Sequence, residues 1–274
     1  MSVWKRALKE TLRLFGSQYR LWAPFLFIAG FQIILIGLVW LAPQAPYSTL
    51  LAPPIRYFSG DRVLHYPVHF WYLYHVMKPV HLITNVLAGA YLSGLATLMV
   101  RQAHERKAIS MRNAMLTSKA HYVSLAVLWI ITWVIANAFF KGAGYIKLPP
   151  IFSATLNAGL AVLLQALLVY PITAAVLEGL PWWKALARGV LEFFRYPLPT
   201  IGIVLVPSAL LLVFAFFVSE SRVFKWMMDT GTPEISLVFV FARLAAVTVA
   251  DAVITLSAAH LWLFHRQSGR ASGK

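Results

Sequence analysis

Four side chains in the first third of the sequence, Asp61, His65, His69 and His75, are of types that bind metal ions. Imidazole is the commonest metal ligand, and a carboxylate beside it would complete a metalloenzyme site. Asp61, His65 and His69 recur every fourth residue, which places them on one face of a helix, but Pro67 interrupts that helix. His69 and His75 are six apart, roughly 120° around a helix. No HExxH or comparable motif occurs, so a metal would need ligands from several elements. The plainer reading makes "DRVLHYPVHFWYLYHVMKPVHL", residues 61–82, a membrane-edge stretch. Phe70, Trp71, Tyr72 and Tyr74 would lie at headgroup depth, with the histidines at the water edge.

A second set, Asp251, Arg243, Gln165, Asn157 and Asn85, lies inside long apolar runs. A charge at the centre of a bilayer costs at least about 3 kcal/mol on insertion scales. Asp251 must therefore face the protein interior, carry a proton or have a partner. Arg243 stands eight residues earlier, about 12 Å along a helix axis, too far for direct contact without a bend or a water. Gln165, Asn157 and Asn85 are the groups that could hydrogen-bond Asp251 between helices. One reading is a proton or cation relay, or a polar substrate site at mid-depth. The other is structural, with Asp251 and Gln165 joining helices.

The elements that position these groups follow from hydropathy. Hydrophobic residues make up 60% of the chain and charged residues 12%, about half the charged share of soluble domains. A helix needs about 20 mostly apolar residues to cross a bilayer. Six stretches qualify: 22–42, 79–100, 121–140, 152–177, 198–218 and 236–264. Lys and Arg gather in four segments, 1–21, 101–120, 179–198 and the tail. By the positive-inside rule these segments and both termini are cytoplasmic. The net charge of +15 thus reads as topology and not as nucleic-acid binding. Lys5, Arg6, Lys9, Arg106, Lys107, Lys184 and Arg188 are placed to meet anionic lipid or a membrane partner, each charge contributing about 1 kcal/mol near the surface. The chain has no cysteine, which excludes disulfides and thiolate metal sites. The start shows no small-residue cleavage site before the first span, so that span is expected to stay.

Residues 4–15, "WKRALKETLRLF", read as an amphipathic helix in the membrane interface. The pattern returns at 182–194, "WWKALARGVLEFF", with Ala185 over Ala7 and Phe193 over Phe15. A third copy is 110–122, "SMRNAMLTSKAHY", with Ala114 and Tyr122 in the matching places. Each copy precedes two spans, which implies three parallel units at about 1–100, 108–178 and 180–265. The segments "WKRALKETLRLFGSQYRLWAPFLFIAG" and "PWWKALARGVLEFFRYPLPTIGIVLV" resemble a recurring element of six-helix bacterial membrane families. These include the membrane domain attached to some glycerophosphodiester phosphodiesterases. The resemblance implies a six-helix membrane domain. The soluble phosphodiesterase domain has no counterpart here, so no catalytic residue carries over.

The expected fold is an all-α polytopic bundle, a single membrane domain of six spans with three cytoplasmic interfacial helices and a disordered tail from 266. "APQAP" and "APP" open an extended outer loop over 43–78, and Pro67 starts a short helix through 77. Pro171 and Pro207 are expected to kink spans four and five. No nucleotide-binding loop, nucleophile elbow or carboxylate pair occurs. The leading functional expectation is a non-enzymatic protein of a bacterial inner membrane without a cofactor. It would act as scaffold or subunit, binding lipid or a membrane protein partner. The alternatives are a transporter or channel built on Asp251, Gln165 and Arg243, and a metalloenzyme built on the outer histidines.

Overall fold

The computed structural model describes residues 2–145, 150–217, 225–226 and 229–271, and these residues are all-helical with no strand among them. Helix α1 runs Val3–Ser17, α2 Ala23–Leu41, α3 Ser48–Ser59, α4 Val68–Thr84, α5 Ala90–His104 and α6 Met111–Ala120. Then come α7 Tyr122–Gly144, α8 Pro150–Leu167, α9 Tyr170–Glu178, α10 Trp182–Arg195, α11 Pro197–Phe217 and α12 Ile235–Ala271. Five helical stretches are long and apolar enough to cross a membrane: Tyr19–Leu41, Pro79–His104, Tyr122–Ala143, Leu156–Glu178 and Ile235–Gln267. A sixth candidate is the pair Trp182–Arg195 and Pro197–Leu212, which is bent by 98°. Five or six apolar helices are what a multi-pass membrane protein requires.

Three features differ from the expectations. The outer stretch 43–78 is not extended, because α3 occupies 48–59 with Pro53 and Pro54 inside it. Proline's fixed φ is already helical, so each costs mainly its missing N–H and local crowding. Ala52 offsets part of that cost by packing with Ala42 and Leu64 in a small apolar cluster. Helix α4 starts one residue after Pro67 and runs beyond 77, to Thr84. The last helix continues through the start of the expected tail, to Ala271, and 272–274 lie outside the described residues. The side chain of Tyr74 also lies outside them. Pro171 acts as expected: the helix breaks ahead of it and restarts with Pro171 in the first turn of α9.

The chain divides into two compact units, neither continuous in sequence. One comprises 26–85 and 211–248. Its core is Ile36, Leu73, Val80, Val240 and Leu244, and Ser236 Oγ donates to the Phe70 carbonyl at 3.0 Å.

The other unit comprises 1–25, 86–210 and 249–274. It contains three helix contacts of one kind. Short helix α6 lies on α5, where Ser118 Oγ donates to the Tyr91 carbonyl at 2.9 Å. Short helix α10 lies on α9 so closely that a Cβ on Gly189 would sit 2.6 Å from Pro171 N. Short helix α1 lies on α12, where Ser257 Oγ donates to Thr11 Oγ1 at 3.2 Å and Thr11 Oγ1 is 3.0 Å from His260 Nδ1. Each short helix buries two small residues four apart: Ala7 and Thr11, Ala114 and Ser118, Ala185 and Gly189. Spacing of four keeps both on one face, and small side chains let two helix backbones approach. Helices α6 and α10 directly follow their partners in the chain. Helix α1 is at the opposite end of the sequence from α12, so this third contact joins the two ends of the chain.

Local signals explain where the short helices begin. Ser110 caps α6, its Oγ accepting from Asn113 N. Gly179 ends α9 with a left-handed φ of 66°, and Pro181 is the N-cap of α10.

Candidate functional site

Seven residues after Gly94 and Pro171, at Arg101 and Glu178, helices α5 and α9 reach a cavity that α12 completes. Seven residues are about two turns, so the small-residue contact faces and this cavity are stacked along the same sides of the helices. The cavity holds about 270 Å³, just below the range of roughly 300–1,000 Å³ typical of small-molecule pockets. Its polar wall is Arg101 and His104 from α5 with Glu105 just after it, Glu178 from α9, and Arg266 and Gln267 from α12. Trp262, which is buried, contributes an apolar surface.

The charges in this wall are held in place by their neighbours. Arg101 Nε donates to Glu105 Oε1 at 2.8 Å, and Lys107 Nζ donates to Glu105 Oε2 at 2.6 Å. The hydrogen bonds from Lys107 and then Arg101 hold the Glu105 carboxyl down at about 2, against an ordinary 4.5. Arg266 pairs with Glu178 and lies over the Trp262 ring, 5.4 Å from its centroid. Gln267 Nε2 donates to His104 Nε2 at 2.7 Å. Next to the cavity, His265 Nδ1 lies 3.3 Å from Glu192 Oε1, with both side chains under a tenth exposed, and Tyr196 stacks on the His265 ring at 3.6 Å. Arg6 of α1 sits 4.9 Å over the Phe264 ring.

The outer histidines do not converge. His65 Nε2 is 3.0 Å from Asp61 Oδ2, and Arg56 Nε donates to Asp61 Oδ1 at 2.6 Å. These contacts, His65 first and then Arg56, hold the exposed Asp61 carboxyl below its usual range. His69 is buried, and its two ring nitrogens face the Val63 and Trp40 carbonyls at 3.0 and 3.2 Å. His75 Nδ1 is 3.2 Å from the Trp71 carbonyl. Both nitrogens of His69 are thus turned to backbone carbonyls and not to the Asp61–His65 pair. Among the described residues, no three His, Asp or Glu side chains are grouped to hold a metal ion. The fourfold spacing from 61 to 69 fails as a ligand face because a short 3₁₀ turn at Asp61–Leu64 and extended backbone at His65 replace the helix.

The mid-membrane set divides between the two units. Gln165 Oε1 accepts from Ser208 Oγ at 3.1 Å, so it joins α8 to α11, and no hydrogen bond links it to Asp251 among the described residues. Asp251 is half-buried and Asn157 exposed, both in the same unit as Gln165. Asn85 Nδ2 turns back to the His81 carbonyl at 2.9 Å. Asn85 and the half-buried Arg243 belong to the other unit. The basic residues are mostly on the surface: Lys5, Arg6, Lys9, Arg106, Lys107 and Lys184 are exposed, while Arg188 is half-buried 4.0 Å from Glu192.

Spacing did not reveal the cavity. In the sequence Arg101 and Arg266 stand as topogenic charges, and Glu105, Glu178, His104 and Gln267 belong to no motif. A usable signal was present: Glu105 and Glu192 are carboxylates inside otherwise basic segments, and Glu178 directly precedes one. Comparison with family models, with curated proteins and with solved structures finds no match.

Proposed function

We propose that this chain is a non-enzymatic, multi-pass protein of a bacterial inner membrane, built from three copies of a short interfacial helix and a membrane hairpin. It serves as a scaffold or subunit whose basic cytoplasmic layer holds anionic lipid and, through it, a membrane partner. The observation that carries the reading is the 98° bend between α10 and α11. A helix at right angles to a spanning neighbour runs along the membrane surface. Helix α11 has 21 residues, about 31 Å, enough for the hydrocarbon core.

The side chains of α10 support that placement. Ala185, Gly189 and Glu192 face the protein, while Trp183, Leu191 and Phe194 are exposed beside Lys184. Exposed aromatic and aliphatic groups next to a lysine suit headgroup depth. Helices α1 and α6 bury the matching small positions, and Leu12, Met115 and Leu116 remain exposed on them. The three contacts in cyclic order, with α1 closing onto α12, support the repeat.

The test is retention on vesicles. Purified protein in phosphatidylcholine nanodiscs is presented to vesicles with and without about one third phosphatidylglycerol. The Lys5→Gln/Lys9→Gln/Lys184→Gln variant is expected to lose most of the preference for anionic vesicles. Equal retention of wild type on both vesicle types overturns the reading. Reporter cysteines at Arg112 and Lys184 are expected to be labelled from the cytoplasmic side; labelling from outside overturns the orientation.

A further inference from the structure

We propose that the cavity between the ends of α5, α9 and α12 is a binding site for a phosphate-bearing anion, with the Arg101 and Arg266 guanidinium groups as its principal ligands. The proposal rests on the reading that this end of the helices lies at the cytoplasmic surface, and names one discrete ligand there.

Two guanidinium groups border one cavity of about 270 Å³, brought together from helices far apart in sequence. A planar fork of N–H donors matches the oxygens of a phosphate better than any other side chain does. Each arginine is oriented by a carboxylate on one side, Arg101 by Glu105 and Arg266 by Glu178. Arg101 spends only its Nε on Glu105, and no hydrogen bond to its two terminal nitrogens occurs among the described residues. Those nitrogens are available to a ligand.

The charge balance selects an anion. Glu105 is shared between Arg101 and Lys107, and Glu178 is matched by Arg266. Counting Lys107, which lies outside the cavity lining but bonds Glu105, three cations meet two carboxylates, and each carboxylate has a cation partner. A cation entering the cavity would have to displace an existing partner, whereas an anion adds to donors already oriented. Gln267, bonded to His104, supplies a further amide N–H at the rim.

Two sources can provide the group: a phospholipid whose headgroup reaches in from the surface, or a free phosphate or phosphoester from solution. The experiment uses the full-length protein and two probes. In neutral detergent without lipid, binding of radiolabelled inorganic phosphate is measured by equilibrium dialysis. In nanodiscs of phosphatidylcholine with about one fifth phosphatidic acid, retained lipid is counted by native mass spectrometry. Wild type is expected to hold about one equivalent of one probe. Arg101→Gln is expected to weaken that binding at least tenfold, and Arg101→Lys to restore only part of it, because an ammonium keeps the charge and loses the fork. Arg101 is partly exposed, so both variants are expected to fold; an unchanged thermal midpoint checks this.

Stoichiometric phosphate in detergent assigns the soluble source. Phosphatidic acid without phosphate assigns the lipid. Binding of neither probe, or binding that Arg101→Gln and Arg101→Lys both leave unchanged, overturns the proposal. The surface reading fails on a separate observable, the vesicle preference lost with Lys5, Lys9 and Lys184, so the two failures are distinguishable.

Discussion

Replacing Gly189 by alanine tests whether the short helices are clamped rigidly to the spans. A methyl there would meet Pro171 N at 2.6 Å and Pro171 Cδ and Cγ at 2.7 and 2.8 Å. Ordinary carbon contacts begin near 3.4 Å, so α9 and α10 would have to part by about 0.8 Å. The obstacle is backbone and a proline ring, neither of which can rotate away. Overpacking of this kind costs typically about 1–3 kcal/mol, and the rigid partner places this case in the upper half. Alanine returns about 1 kcal/mol of helix propensity over glycine. The expected net loss is about 1–2 kcal/mol. At roughly 2–4 °C per kcal/mol for a chain of this size, the thermal midpoint should fall by about 2–8 °C. The assay is thermal unfolding in detergent, with Gly159→Ala as control. Gly159 has nothing within 4 Å of its added methyl, so that variant should be neutral or stabilised by up to about 1 kcal/mol. Gly94→Ala should fall between the two, because the atoms it meets at 2.9–3.1 Å are tips of Leu125, Val176 and Ser118. If Gly189→Ala melts with the Gly159→Ala control, the α9–α10 contact is not rigid and the argument from close approach is wrong.

Thr11→Val removes the hydroxyl that joins α1 to Ser257 and His260. Leaving buried polar partners unmatched costs about 1–3 kcal/mol, read as a lower thermal midpoint; an unchanged midpoint would mean that the chain ends are joined by apolar packing alone. Glu105 carries a pH signature. Its folded carboxyl is held at about 2, below the ordinary 4.5, so its contribution is complete above about pH 4.5 and is lost as pH falls toward 2. The midpoint difference between wild type and Glu105→Gln should be flat above about pH 5 and close below it; a difference independent of pH down to 2 would refute the pairing with Lys107 and Arg101.

How much was legible in advance differs by element. The apolar runs between 22 and 264 marked nearly every long helix, because spanning demands about 20 consecutive apolar residues and nothing local overrides that. The break at Pro171 was legible for an equally local reason, the missing N–H and fixed φ of proline. Helix α3 was not. Its two prolines read as a break, and the packing of Ala52 with Ala42 and Leu64 is invisible in a local window. His69 shows the same limit. Its position suggests a ligand, yet its ring nitrogens are turned to carbonyls contributed by residues 63 and 40.

The sequence by itself determined that this chain is helical and apolar enough for a membrane, and where its positive charges cluster. Those properties depend on composition and on spacing along one helix. Only the tertiary structure decided that Thr11 meets His260 across 249 residues of chain. It also decided that Arg101, Glu178 and Arg266 share one cavity and that Gln165 serves Ser208 and not Asp251. Such pairings depend on which helix faces which. That choice is made by close packing and by the need to satisfy buried polar groups over the whole fold, and no local pattern encodes it.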